Sequence, residues 1–172
     1  MTSEDFLVRV REVLSREFGA GILRWEALDF PTVVVEKSVV PSVLKVLFDD
    51  AALQVRFLTD LCGVHFPDYS PPLLGVVYHV HSLVLNQRLR IKAFCCVSES
   101  RFPSVTEVYA CANWMERETY DFYGIVFEGH PNLKRILNED SMDYFPMRKE
   151  YKLEDGSRLD KEDVMFGRES VA

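Results

Sequence analysis

The residues best suited to acid–base chemistry lie in one short stretch of the second half of the chain. Its ionisable candidates are Glu116, Glu118, Asp121 and His130. Glu116 and Glu118 are two positions apart, so on a helix they point about 200° apart and cannot form a carboxylate dyad. A small stand-alone enzyme that uses His130 with Asp121 or Glu118 therefore remains as the catalytic hypothesis for this stretch.

The same stretch has the composition of a protein interface. Arg117 precedes Asp121 by four positions, which predicts an ion pair on one helical face. Aromatic residues lie among the charges, and interface cores favour Tyr, Trp, Phe and Arg. An internal structural network is the third reading of these charges. We expect a surface that another protein covers, formed by Glu116, Arg117, Glu118, Tyr120, Asp121, Tyr123, Gly129, His130, Pro131, Arg135, Arg148 and Lys149.

The sequence offers no motif for a cofactor or a metal. No Gly-x-Gly-x-x-Gly follows a strand and no Walker loop is present, so flavin, nicotinamide and nucleotide binding have no support. The cysteines form no Cys-x-x-Cys pair, and we expect buried thiols at Cys62, Cys95, Cys96 and Cys111. His79 and His81 lie two apart on one strand face without a third ligand, which predicts ordinary satisfied or exposed histidines.

Size and charge exclude several classes of partner. The 172 residues fit one domain and a tail, with the boundary predicted between residues 137 and 138. The net charge is −7 and no basic stripe is present, so nucleic acid is not an expected partner. No apolar run approaches the roughly 20 residues of a membrane helix. The acidic start argues against a signal peptide or a mitochondrial presequence, and predicts a cytosolic or mature chain.

The first half of the chain reads as helix, two strands and a second helix. Ser3 is predicted to cap a helix over 4–18 that ends at Gly19, because apolar residues recur at helical spacing. Strands are predicted over 22–28 and 32–36. Pro41 suits the first turn of a second helix that extends to about Leu53.

The middle of the chain reads as β-structure. Strands are predicted over 55–61, 73–85 and 88–97, with a tight turn at Asn86-Gln87 between the last two. Arg88, Arg90 and Lys92 alternate with apolar residues, which is the period of a half-buried strand. Their basic face could be solvated or could meet acidic neighbours, and we expect solvation.

The second half is predicted to contain the longest helix. Ser104 to Glu107 reads as a capping box that starts a helix over 105–123, and Gly124 suits a left-handed cap at its end. The segment 133–137 can form one short helical turn. Regular patterning then stops, and residues 138–172 are predicted to be an extended tail that straps onto partner subunits, because their sparse apolar content cannot offset about 1–2 kcal/mol of ordering entropy per residue.

The run from Glu116 to Leu137 resembles a known family. Glu-Arg-Glu, a Tyr-Asp pair, an aromatic-Gly-Ile step, Phe-x-Gly-His-Pro and a Leu-basic-Arg-Ile-Leu segment follow one another in the order found in the C-type, or thirty-kilodalton-type, subunit of proton-pumping NADH:quinone oxidoreductase, respiratory complex I. Weaker similarity extends over residues 55–151. Departures are His65, where the family often has Asp, and the segment Tyr144–Glu150, which lacks the family's late Gly-His-Pro.

This resemblance implies an α+β fold, with helices packed on a mixed, mostly antiparallel sheet. It implies a hydrophilic peripheral-arm subunit without a cofactor of its own, while FMN and iron–sulfur clusters belong to other subunits. The implied partners are the quinone-site subunit and neighbouring iron–sulfur subunits, on the cytoplasmic side of a bacterial inner membrane. The equivalent subunit of a membrane-bound hydrogenase or of a ferredoxin-dependent complex remains an alternative, because it would share the motif.

Overall fold

A computed structural model describes residues 2–27 and 29–151, which form three helices, a five-stranded sheet and a separate pair of short strands. The helices are α1 (Ser3–Phe18), α2 (Val40–Asp49) and α3 (Ala112–Tyr123). The strands are β1 (Ile22–Ala27), β2 (Pro31–Val35), β3 (Phe57–Phe66), β4 (Leu73–Ser82), β5 (Gln87–Cys96), β6 (Arg101–Pro103) and β7 (Val126–Glu128).

The large sheet has the order β1-β2-β5-β4-β3. The pairs β1–β2, β5–β4 and β4–β3 are antiparallel, and β2 pairs with β5 in parallel. Strands β6 and β7 form a second, parallel pair. This architecture confirms the predicted α+β class with a mixed, mostly antiparallel sheet. The last 21 residues of the predicted tail, 152–172, lie outside the described residues.

One face of the sheet forms the core with the apolar sides of the helices. On β5 the residues Leu89, Ile91 and Ala93 are buried at period two, as the sequence alternation predicts. They join Leu14 of α1 and Leu44 of α2 in one apolar cluster. Burial of each large aliphatic side chain contributes about 1.5–3 kcal/mol before entropy is subtracted, so this layer holds the scaffold on which α3 lies.

Two helix ends differ from their predictions for local reasons. The cap of α1 is Thr2 and not Ser3, because the Asp5 amide donates to the Thr2 hydroxyl at 3.1 Å and the Asp5 carboxylate accepts from the Thr2 amide at 3.0 Å. Helix α2 ends at Asp49, because the Asp50 carboxylate accepts from the amides of Ala52 and Leu53 and closes a turn.

The β4–β5 connection and the basic face of β5 also differ from the predictions. The connection is a four-residue loop over 83–86 and not a two-residue turn. The expectation of a solvated basic face is wrong for Lys92 and Arg90. Lys92 lies 2.8 Å from Glu26, and Arg90 donates to both carboxylate oxygens of Asp29. The sheet order explains both pairs. It places Glu26 of β1 within reach of β5 across the single strand β2, and Asp29 lies just before β2, whose Thr32 is in register with Arg90.

Candidate functional site

The segment before α3 forms turns and not the predicted first half of a helix. Helix α3 begins at Ala112, seven residues later than predicted, and it is shorter than the 16-residue α1. Tyr109 explains the difference, because its hydroxyl donates to the Val55 carbonyl at 2.6 Å and its ring packs edge-on against Phe48. These contacts hold the 105–111 segment against the α2–β3 connection, and tertiary contacts of this kind override helix propensity.

Glu116 replaces Glu107 as the partner of Ser104. Its carboxylate accepts from the Ser104 hydroxyl and from the Val105 amide, each at 2.7 Å. The side chain is fully buried on the inner face of α3. Burial raises the pKa of Glu116 to about 7, against a smaller opposing effect of these two donors. Glu116 is therefore a buried acid that titrates near neutral pH and holds the 104–106 turn onto α3.

Asp121 forms a second buried carboxylate, with a much richer set of donors. Backbone amides of Ile136, Leu137 and Asn138 donate to its Oδ2 atom at 2.8–3.0 Å. The Arg135 guanidinium donates to Oδ1 at 2.8 Å, and the Asn138 side chain donates to the same atom. Burial opposes the charged form, but these donors together hold the pKa of Asp121 well below its usual range. Asp121 is therefore a permanent anion at neutral pH.

Two predictions about this part of the chain are wrong. Asp121 pairs with Arg135 and not with Arg117, whose guanidinium donates to the carbonyls of Lys134 and Arg135. The segment 133–137 is not a helical turn, because its last amides point at the Asp121 carboxylate and not back along the chain. The spacing of four residues from Asp121 was the only feature that favoured Arg117, whereas the actual partner, Arg135, is fourteen residues from Asp121.

Residues 138–151 fold back against the end of α3. The Phe145 ring contacts two guanidinium groups, with Arg135 at 5.1 Å and Arg148 at 4.9 Å from its centroid. The same ring covers Gly124, where a Cβ atom would overlap it and where φ is +70°. Gly124 thus ends α3 in the left-handed conformation that the sequence predicts, and it leaves room for Phe145.

The next residues attach to β3 and to the last residues of α3. Arg148 donates to the Tyr123 carbonyl at 2.7 Å, and the Lys149 amide donates to His65 Nδ1 at 2.9 Å. The Tyr123 ring lies over Gly63 of β3, where any larger residue would overlap it. The start of the predicted tail therefore packs on this chain itself. Whether residues 138–172 also strap onto partner subunits stays a prediction.

His130 is engaged through both ring nitrogens. Its Nδ1 atom accepts from the Asn132 amide at 3.0 Å, and its Nε2 atom lies 3.0 Å from the Asn113 carbonyl. Because the carbonyl can only accept, the neutral ring carries its proton on Nε2. The ring closes the Gly129–Pro131 turn against α3. Asp121 is bonded to other donors, and Glu118 is exposed. The described contacts therefore pair His130 with neither Asp121 nor Glu118, the two acids considered for catalysis.

The predicted surface residues divide into three groups by exposure. Two of them, Glu116 and Asp121, are buried by this chain. The half-buried ones are Arg117, Tyr120, Tyr123, His130, Arg135 and Arg148. The exposed ones are Glu118, Gly129, Pro131 and Lys149. The structure brings most of them together at α3 and its two flanking turns. Trp114, which is not in the predicted set, lies beneath the Arg117 guanidinium and is 64% exposed.

Ser104, Asn138 and Phe145 are central to this cluster, and the sequence patterns did not identify them. The capping-box pattern pairs Ser104 with Glu107 and not with Glu116, and Asn138 and Phe145 lie in the segment predicted to leave the domain. A short polar residue directly after the Leu-basic-Arg-Ile-Leu segment is the one signal that could have suggested a capping role at Asn138.

The histidines and cysteines form no metal site in the described part of the chain. His79 accepts from Arg90 at 2.8 Å, and beside Asp60 and Arg88 it lines a cavity of about 160 Å³. His81 is buried without a described partner for Nε2, unlike the satisfied or exposed histidine that the sequence predicts.

The expectation of four buried thiols holds for Cys95. Cys111 is exposed, and Cys62 and Cys96 are half-buried.

The fold and the internal contacts of α3 define a class of protein: an α+β domain whose most distinctive charged residues serve packing within the chain. Solved structures agree at the level of fold. A structure described as the trypsin-resistant fragment (1–134) of Nqo5 is 30% identical with a TM-score of 0.59, and the match covers 73% of this chain and 99% of that chain. A chain of an archaeal membrane-bound sulfane sulfur reductase has a TM-score of 0.71 at 18% identity, which shows the fold alone.

Sequence comparison identifies the family. Residues 33–157 match the family model described as the 30 Kd subunit of respiratory-chain NADH dehydrogenase, and the chain belongs to that family. The C subunit of the NADH-quinone oxidoreductase of Acidithiobacillus ferrooxidans is 42% identical over 156 residues, which cover 87% of this chain and 77% of the relative. The resemblance carried by Glu116–Leu137 is thereby confirmed. Within the described residues, no helix is long and apolar enough to cross a membrane.

Proposed function

We propose that this chain is a peripheral-arm subunit of a proton-translocating NADH:quinone oxidoreductase, with a bracing role and no catalytic site of its own. The family match over residues 33–157 is the observation that carries the proposal. The contacts at α3 support the absence of a catalytic site. The carboxylate of Asp121 and both nitrogens of His130 are already hydrogen-bonded within the chain. A group that must move a proton to a substrate needs an accessible lone pair or proton.

The partners that fit this role are the quinone-site subunit and its iron–sulfur neighbours, on the cytoplasmic side of the membrane. The partner surface would consist of the exposed and half-buried members of the predicted set, with Trp114, Glu118 and Pro131 at its centre. Glu116 and Asp121 then act beneath this surface, because they fix the two turns on which it is built. FMN and iron–sulfur clusters would be held by other subunits, and this chain would position the subunits that hold them.

The test is the identity of the proteins that surround this chain in the cell. A tagged full-length chain is purified from a gently solubilised membrane extract, and its companions are identified by mass spectrometry. We expect a large assembly that reduces quinone with NADH and that contains flavin and iron–sulfur clusters. Recovery of the chain alone, or in an assembly that oxidises hydrogen or ferredoxin but not NADH, would contradict the proposal. The relatives' names do not favour the hydrogenase or ferredoxin alternative.

A further inference from the structure

The loop between β4 and β5 carries two consecutive large apolar residues that this chain leaves uncovered. Leu83 is 64% exposed and Val84 is 71% exposed. Hairpin loops normally carry Gly, Asn, Asp or Pro at such positions, because these residues suit the turn conformation and are solvated. Leu85, the next residue, packs against the core and closes the loop from inside. The exposure of Leu83 and Val84 is therefore not needed to build this loop.

Phe57 extends the exposed apolar surface onto the neighbouring strand. It lies directly opposite His81 in the β3–β4 register, two residues before Leu83, and it is 44% exposed. We call Phe57, Leu83 and Val84 the tip patch. Single exposed apolar residues are common on soluble proteins, but adjacent ones that protrude from a loop mark interaction sites.

The charges around the tip patch are positive, although the whole chain carries −7. Residues 53–58 and 81–89 contain Arg56 and Arg88 and no acidic residue. Arg56 directly precedes Phe57 in the chain, and its guanidinium lies over the Phe48 ring. Arg88 lies opposite His81 in the β4–β5 register, and its guanidinium lies over the Phe30 ring. The nearest acidic residue along β3 is Asp60, which faces His79. An apolar centre with a basic rim is complementary to an apolar socket with carboxylates around it.

We infer that the tip patch inserts into an apolar, acid-rimmed socket on another protein subunit of the assembly. This inference rests on the proposed function. An anionic lipid surface is the competing occupant, and the charges argue against it. Stable electrostatic membrane binding uses clusters of about four to eight basic residues, whereas residues 53–58 and 81–89 contain only Arg56 and Arg88. The surplus of acidic residues in the chain would also repel an anionic surface.

The tip patch is separate from the surface around the end of α3. Phe57 and His65 mark opposite ends of β3, and His65 is the contact of Lys149. Eight residues of strand at about 3.3 Å each place these ends about 26 Å apart. One partner can therefore contact the α3 end while the tip patch engages a different subunit or a distant part of the same one.

The experiment places a photo-crosslinking amino acid at position 84 of the full-length chain and purifies the assembled complex after illumination. Position 8, occupied by Val8 on α1, is the matched control because it is an exposed valine (52%) outside the patch. We expect position 84 to form an adduct with one protein subunit, in a segment that contains apolar residues beside Asp or Glu, and position 8 to give no adduct with that segment. An adduct with lipid, or no protein adduct, would overturn the inference.

A competition experiment gives a quantitative test. Wild-type chain and the double variant Leu83→Asp, Val84→Asp are co-expressed with different tags, and their ratio in the purified complex is measured. We expect the variant to be depleted at least tenfold and Val8→Asp to be incorporated normally, with both variants matching the wild-type unfolding midpoint. Normal incorporation of the double variant would overturn the inference and leave the proposed function intact. Absence of the wild-type chain from any NADH-oxidising assembly would overturn both.

Discussion

Glu116 and Asp121 are fully buried carboxylates five residues apart on one helix, and their pKa values move in opposite directions. Asp121 accepts three backbone amides, an arginine and an amide side chain, whereas Glu116 accepts one amide and one hydroxyl. The comparison teaches that the charge of a buried acid depends on how many donors surround it as well as on how deeply it is buried. We therefore expect the contacts of Asp121 at the end of α3 to be independent of pH in the physiological range, and the contact of Glu116 with the segment before α3 to depend on pH.

The largest effect is expected from Asp121→Ala. This change leaves the Arg135 side chain, which is 9% exposed, without its carboxylate and leaves three amides of the 136–138 turn without an acceptor. Removal of one member of a buried ion pair costs about 3–5 kcal/mol. We expect a loss of this size in the free energy of unfolding, measured by urea denaturation of the full chain. Glu118→Ala is the control, because Glu118 is exposed on the same helix, and a loss below about 1 kcal/mol for Asp121→Ala would remove the contrast between the two carboxylates.

The pH dependence of Glu116 gives the second test. Its pKa rises from 4.5 in the unfolded chain to about 7 in the folded one, so between these values the folded chain holds the extra proton. The free energy of unfolding must therefore fall as pH rises from about 4.5 to 7. At about 1.4 kcal/mol per pKa unit, the upper limit of the fall is roughly 3–4 kcal/mol.

Glu116→Gln isolates this effect from the histidines. Burial lowers the pKa of His65 and of His79, and a lowered histidine pKa makes stability rise with pH through the same range. The measured quantity is therefore the difference in unfolding free energy between wild type and Glu116→Gln at pH 5, 6, 7 and 8. We expect this difference to shift toward the variant as pH rises. A difference that stays constant over these pH values would show that Glu116 does not titrate there.

A smaller effect is expected from Ser104→Ala. The variant removes one of the two donors to Glu116, at 2.7 Å, and a hydrogen bond to a charged group contributes about 1.5–3 kcal/mol. The loss should reach about 2 kcal/mol at pH 8, where Glu116 is ionised, and should shrink at pH 5, where it is protonated. Ser42→Ala on the exposed side of α2 should show no such pH dependence. Equal losses at both pH values would mean that the Ser104 contact is independent of the charge on Glu116.

These contacts also show which parts of the molecule local patterns could predict. The alternation on β5, the helical spacing on α1 and the cap at Gly124 depend on neighbouring residues, and each prediction agrees with the structure. The start of α3 depends on Tyr109 reaching Val55, which is 54 residues away. No periodicity within the 105–123 segment contains that information, so the predicted helix was too long.

The candidate site shows the same division between features that local patterns predict and contacts that depend on distant parts of the chain. The sequence identified the right stretch, because charges and aromatics are concentrated there, and it identified the family. It did not identify the partners inside the stretch. Spacing favours the residue four positions away, but Asp121 binds the turn that follows Arg135, and this turn forms only when β7 and its connection bring it back to α3. Residues of the same chain can thus bury charged side chains that the sequence alone would assign to a contact with another protein.

The smallest effect in the isolated chain is expected from Arg117→Ala, the surface counterpart of Asp121→Ala. The Arg117 guanidinium donates to two carbonyls and stacks on the exposed Trp114 ring, at 5.0 Å from its centroid. Contacts of a half-buried side chain at the surface contribute little, so we expect a loss of at most about 1 kcal/mol on urea denaturation.

In the assembled complex the same variant should be depleted much more strongly. A partner that covers Trp114 and Arg117 would exclude water from the stacked pair, and desolvation strengthens a cation–π contact to about 2 kcal/mol or more. Incorporation of Arg117→Ala into the purified complex, in competition with wild type, measures this difference. Arg101→Ala is the matched control, since Arg101 is 65% exposed and pairs with Glu128 away from Trp114. Equal losses for Arg117→Ala in the isolated chain and in the complex would mean that no partner covers this face. Contact with a partner subunit would then be proposed for the tip patch alone.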